Sequence, residues 1–264
     1  NSFPSVFNIG SIINELTTNP FSKYLLYLID DKVVIDGVSF VQVGDSAPFG
    51  NYELTVPVAT KAELINALET ANVTSVVLNP GTYDLDEILY ITNPVTLLAR
   101  DSSNMPVVKG KLVANADFTA KYVRFEANAV TSQNLDKGVY GTYVIDNYNA
   151  IVTVNRTSAT FEGCEFNGGD EYKVAINYFQ EKAGAVMNVT GCSFTNTYIY
   201  SKVLCNISDN TFTLNDCPYP ICVWPCPAGS DNNECTFVNN RVTSNYSGDK
   251  AYCQVFLLSQ TSPC

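Results

Sequence analysis

The residues with chemistry to offer are cysteines, carboxylates and sequon asparagines. All nine cysteines lie between Cys164 and Cys264. Cys217-x4-Cys222-x3-Cys226-x8-Cys235 offers four thiolates for zinc, but it lacks the paired C-x2-C knuckles of structural zinc sites. In an oxidising compartment such thiols pair instead. The expectation is therefore disulfides among Cys164, Cys192, Cys205, Cys217, Cys222, Cys226, Cys235 and Cys253. Nine is odd, and Cys264 is the candidate unpaired thiol. Asn72, Asn155, Asn188, Asn206 and Asn245 each begin an N-x-[ST] sequon. Together with the clustered cysteines they point to a secreted eukaryotic glycoprotein. The alternative is a bacterial surface protein with idle sequons.

The chain has no histidine, which excludes Ser-His-Asp and Cys-His nucleophiles and histidine-ligated metals. Asp84, Asp86 and Glu87 are the densest acidic cluster after a strand. They could gather oxygens around calcium or form a solvated loop. Asp170-Glu171 is similar. Carboxylates on neighbouring strands could make a glycosidase pair, but nothing in the sequence selects one. No cofactor, metal or catalytic residue is expected. With 15 basic and 26 acidic side chains the net charge is −11, which argues against nucleic acid as partner. No apolar run reaches membrane-span length. The chain begins at Asn1 without an apolar leader and reads as a mature product after signal removal.

Residues 1–58 differ from the rest. A short helix is expected over 8–18, with Ile12, Ile13 and Leu16 as its stripe. Strand-like runs Val33-Val-Ile35 and Val38-Ser-Phe40 flank Asp36-Gly37, a hairpin signal. Tyr52 to Val58 reads as a strand, placed at an edge by Pro57. Thr60-Lys-Ala-Glu63 opens a helix with a capping box, and Leu64, Ile65 and Leu68 form its apolar face.

Beyond Ser75 short apolar runs alternate with turns, and no helical pattern interrupts them. Gly163-Cys164-Glu-Phe166-Asn167 recurs as Gly191-Cys192-Ser-Phe194-Thr-Asn196, as Asp209-Asn210-Thr-Phe212, and weakly from Phe237 to Val242. The intervals from Phe125 through Phe166 and Phe194 to Phe212 suit rounds of about 20 residues, with the longest interval covering two rounds. Stacked rounds bury a continuous core.

The helix over 60–70 followed by Ser75-Val-Val-Leu-Asn-Pro80-Gly81-Thr-Tyr83 resembles the opening of right-handed parallel β-helix proteins, the pectin-lyase-like superfamily. The resemblance spans about residues 59–250. It implies an all-β right-handed parallel β-helix solenoid over 59–264 with an N-terminal capping helix; the cysteines make its C-terminal rounds disulfide-rich, and residues 1–58, outside the resemblance, form a small N-terminal extension or subdomain. It implies no activity, because the polygalacturonase, pectin methylesterase and pectate lyase signatures are absent. Equivalent repeat positions would bring Cys164 and Cys192 into disulfide range. Asn188 and Asn206, each six residues before a repeat phenylalanine, would project side by side. No C-terminal cap is visible, so residues 1–58 are expected either to pack as a subdomain on their own solenoid or to dock as an arm on the next copy. The expected function is a secreted, glycosylated, non-enzymatic subunit of a head-to-tail fibre, filament or coat. Alternatives are an adhesin-like glycan-binding solenoid and a polysaccharide lyase or hydrolase.

Overall fold

The computed structural model describes residues 26–29, 32–35, 38–42, 52–70, 73–129, 131, 150–169, 173–180, 184–201, 204–215, 221–223, 236–245 and 257–258. The helix expected over 8–18 lies outside them, as do Asn72, Asp170, Glu171, Cys217, Cys226, Cys235, Cys253 and Cys264.

Four strands open the chain: β1 (Leu26–Ile29), β2 (Lys32–Ile35), β3 (Val38–Gln42) and β4 (Tyr52–Val58). They pair antiparallel in sequence, and Ile35 meets Val38 across the Asp36-Gly37 link. Helix α1 (Lys61–Glu69) follows. Its capping box is complete. The Glu63 amide donates to Thr60 Oγ1 at 3.2 Å, and the Thr60 amide returns a bond to the Glu63 carboxylate. Leu64, Ala67 and Leu68 face the core.

The remaining strands come in triplets. The first two are β5 (Val73–Leu78), β6 (Thr82–Asp84), β7 (Leu89–Ile91) and β8 (Val95–Ala99), β9 (Val107–Lys109), β10 (Leu112–Ala114). Next are β11 (Phe118–Lys121), β12 (Arg124–Glu126), β13 (Val152–Asn155) and β14 (Ala159–Glu162), β15 (Glu165–Asn167), β16 (Lys173–Gln180). The last three are β17 (Val186–Thr190), β18 (Ser193–Thr195), β19 (Thr197–Ser201), then β20 (Leu204–Ser208), β21 (Thr211–Leu214), β22 (Ile221–Val223), then β23 (Thr236–Val238), β24 (Arg241–Ser244), β25 (Leu257–Leu258). Each strand pairs with the one three places on, building one sheet of eleven strands and two of seven. The first sheet runs from β1 to β23, the second from β6 to β24, and the third from β7 to β25. From β4 onward every pairing is parallel. The described chain is therefore all-β apart from one helix.

Side chains alternate in and out along these strands. One inward row of the second sheet is Tyr83, Val108, Phe125, Phe166, Phe194, Phe212 and Val242. Its phenylalanines stack at centroid distances of 5.2, 4.9 and 4.6 Å with interplanar angles of 20° or less. Tyr83 closes the row at the helical end, and its hydroxyl donates to the carbonyls of Val58 and Asn79. Burial raises its pKa.

Three sequence expectations change. The interval from Phe125 to Phe166 is one round, since β12 pairs directly with β15; β12 ends at Glu126 and β13 begins only at Val152. Phe237 is not the repeat phenylalanine. It pairs with Ile207 in the first sheet, and Val242 takes the place beside Phe212. Pro57 does not put β4 at the sheet edge, because β4 pairs with both β3 and β5. The β3 ladder stops at Thr55, and Val58 bonds toward β5. The missing Pro57 N–H therefore faces a side where no ladder bond is needed. Tyr122 has φ 58° and separates β11 from β12.

Candidate functional site

The repeat motif sits at the corner between the first and second sheets. Tyr122, Gly163, Gly191, Asp209 and Asn239 hold equivalent places, with φ between 56° and 64°. The amides of the first four donate in turn to the carbonyls of Glu162, Thr190, Ser208 and Val238 on the next round. Glycine and Asn/Asp accept this left-handed turn most readily. The residue after it points inward: Val123, Cys164, Cys192, Asn210, Asn240.

From Cys164 onward these inward side chains form one ladder. The Cys164 amide donates to Cys192 Sγ at 3.3 Å, the Cys192 amide to Asn210 Oδ1 at 2.8 Å, and the Asn210 amide to Asn240 Oδ1 at 3.0 Å. Each side chain also donates back to a carbonyl of the preceding round. Cys164 reaches Ala120, Cys192 reaches Phe161, Asn210 reaches Val189 and Asn240 reaches Ile207. A buried thiol thus does the work of an amide. Cys164 and Cys192 are buried and carry no disulfide, so the expected Cys164–Cys192 bridge is not formed; Cys205 is buried as well. The strand spacing of about 4.8 Å lies within the Cα separations of a disulfide, but each thiol is turned to a carbonyl of the preceding round. Burial raises the Cys192 thiol well above its ordinary value, and the neighbouring Cys164 reinforces this. Cys222 lies in β22.

Four sequon asparagines are described. Asn188 and Asn206 are register partners, and the Asn206 amide nitrogen donates to Asn188 Oδ1 at 2.9 Å. They continue an outward row of Thr96, Thr119 and Thr160 that ends at Thr236. Their sequon hydroxyls, on Thr190 and Ser208, lie 3.3 Å apart. Asn206 is exposed and Asn188 half-buried. Asn155 is half-buried and donates to Asn115 Oδ1 at 3.1 Å. Asn245 is exposed, with Asn215 Oδ1 at 3.4 Å.

The outward carboxylates of adjacent rounds face bases rather than each other. Arg124 Nε meets Glu165 at 2.6 Å, and Lys121 Nζ meets Glu162 at 2.7 Å. Lys109 stands in register between Asp84 and Glu126. The expected acidic cluster is divided. Asp84 accepts from Asn128 Nδ2 at 3.0 Å, whereas Asp86 pairs with Lys61 on α1 at 2.5 Å. No group of three metal-ligating side chains occurs among the described residues. Lys111, at the next corner, is buried, and desolvation lowers its pKa to about 8.

Two features escape the sequence motifs. A groove of about 290 Å³ lies between α1 and the segment 85–90, lined from the helix by Lys61, Ile65 and Glu69. Tyr90 lines its other side and is 54 % exposed. Their helical spacing was the available signal. At the opposite end the last round is thinly covered. Val238 is 51 % exposed, and Phe237 and Val242 are only partly buried. No described helix is long and apolar enough to cross a membrane. No family model, curated protein or solved structure matches the chain.

Proposed function

We propose that the chain is a right-handed parallel β-helix of the pectin-lyase-like kind that serves as a structural subunit. In this reading it is secreted, carries N-glycans, and associates with copies of itself end to end. The carrying observation is the asymmetry of the two ends. At one end α1 buries Leu64 and Leu68 over the core. At the other, the inward rows finish in half-covered Phe237 and Val242, with Val238 exposed beside them. The eleven-stranded sheet ends in β1 and β23, and neither has a second partner strand among the described residues. Unpaired edges template pairing with another chain. Joining β23 of one copy to β1 of the next is a heterologous contact, which propagates when it does not close. The pairing of outward carboxylates with bases supports a non-catalytic role. Exposed Asn206 and Asn245 are the described sequons best placed to carry sugar, and disulfides would fall among the cysteines from Cys217 onward.

Sedimentation velocity over a concentration series, with negative-stain microscopy, tests the assembly. The intact chain should form linear polymers. Val238→Lys, which puts a charge on the edge strand, and deletion of residues 1–30 should each leave monomers. An intact chain that stays monomeric at high concentration, or a deletion that still forms fibres, overturns the proposal.

A further inference from the structure

We infer that the groove between α1 and β7 is a strand-addition site for a short extended peptide carrying basic residues. β7 is the terminal strand of the third sheet. The Leu89 amide donates to Lys111 O at 3.0 Å, and Ile91 O accepts from the Asn115 amide at 2.8 Å. Both bonds go to the β10 side. Because backbone groups of successive strand residues point to opposite sides, the Tyr90 N–H and C=O face away from β10. Among the described residues no strand pairs with that side of β7.

The groove runs beside this edge. Ile65, Leu85 and Leu89 give it an apolar lining, where a strand's alternate side chains would lodge. Its charged lining is Glu69, Asp86, Glu87 and Lys61, and Lys61 is engaged by Asp86. The unbalanced charge is therefore that of Glu69 and Glu87. Both favour a cationic side chain on either flank of an inserted apolar residue, with the exposed Tyr90 ring available for a cation–π contact. A second copy of this chain, at net charge −11, is a poor match for that lining. A basic peptide is the occupant its charge selects. This site is independent of the end-to-end contact, which uses the first sheet.

The test uses fluorescein-labelled Lys-Val-Leu-Val-Lys and Glu-Val-Leu-Val-Glu, read by anisotropy against the full chain. The basic peptide should bind about tenfold or more tighter than the acidic one, and Glu69→Gln with Glu87→Gln should remove that preference. Tyr90→Pro deletes the edge N–H without touching the ladder to β10 and should weaken binding about tenfold relative to Tyr90→Thr, which keeps it. Circular dichroism confirms that both variants fold. Equal binding of the two peptides, no binding of either at about 1 mM, or equal loss in Tyr90→Pro and Tyr90→Thr overturns the inference. Chitotriose bound by the parent and lost equally in both Tyr90 variants would assign the groove to a saccharide instead.

Discussion

Asn210→Leu tests whether the corner ladder holds the rounds together. Asn210 is 1 % exposed. Its Oδ1 accepts from the Cys192 amide at 2.8 Å, and its Nδ2 donates to Val189 O at 3.0 Å and Asn240 Oδ1 at 2.8 Å. Leucine of similar size keeps the packing and removes all three bonds. The Cys192 N–H is then buried without an acceptor, at about 1–3 kcal/mol. The two acceptors keep other lone-pair partners and together cost about 1–2 kcal/mol. Burying leucine instead of an amide returns about 1 kcal/mol. The net expectation is a loss of about 3 kcal/mol, read as a lower urea midpoint at unchanged slope. Asn240→Leu, at a half-buried position nearer the open end, should cost less. Hydrogen exchange adds a local reading, since the Cys192 amide should lose protection before those of β14. If Asn210→Leu costs under about 1 kcal/mol, or no more than Asn240→Leu, the ladder is incidental to stability.

Phe194→Ala, which opens a void between rings 4.9 and 4.6 Å away, should lose about 3–5 kcal/mol in the same urea assay. Gly163→Ala should be worse than Gly191→Ala in thermal melts. Both have positive φ, but a Cβ at Gly163 would meet Tyr122 Cε1 at 2.5 Å while one at Gly191 finds nothing nearer than 3.9 Å. Cys164 and Cys192 should resist iodoacetamide in the native protein and react on unfolding, followed by mass spectrometry of tryptic peptides; native labelling at either site would contradict their burial. Lys111→Met should stabilise most below pH 8. The native pKa, about 8 against an ordinary 10.5, means the unfolded chain holds more protons between those values. The parent therefore gains stability as pH rises through that window, by about 3 kcal/mol, and the gap to Lys111→Met should narrow by that amount in urea titrations. A gap that does not change with pH refutes the assignment.

The sequence showed the capping box and the repeat because each is a local signal. Thr60 and Glu63 lie within one helical turn, and the glycine of Gly-Cys-x-Phe marks a left-handed corner that few residues tolerate. It hid what depends on register. Phe237 matched the motif by type, yet the corner at Asn239 assigns it to the preceding strand and hands its place to Val242. The long span between β12 and β13 stretched one round to the length of two, and interval arithmetic cannot tell these apart. Pro57 likewise reports on one side of one residue, and says nothing of how far β3 extends along β4.

The free cysteines show how far residue type can mislead. In sequence, Cys164 and Cys192 invite pairing because they repeat at equivalent positions. In the structure that equivalence places both in the corner ladder. Each thiol donates to a carbonyl of the preceding round, Cys164 to Ala120 and Cys192 to Phe161, while Cys192 Sγ accepts from the Cys164 amide. The next two rounds put Asn210 and Asn240 at this position, with the same donor-and-acceptor pattern. Cys192→Asn should therefore be accepted. Its amide would donate to Phe161 O and accept from the Cys164 amide, exchanging weak sulfur bonds for stronger ones. The cost is the volume of one extra carboxamide in a place that Asn210 already shows can hold it. The expected urea midpoint is at or above that of the parent, whereas Cys192→Val, of similar bulk but without an acceptor, should fall by about 1–3 kcal/mol. Equal losses in the two variants would mean that packing alone, and not the ladder, decides what this corner accepts.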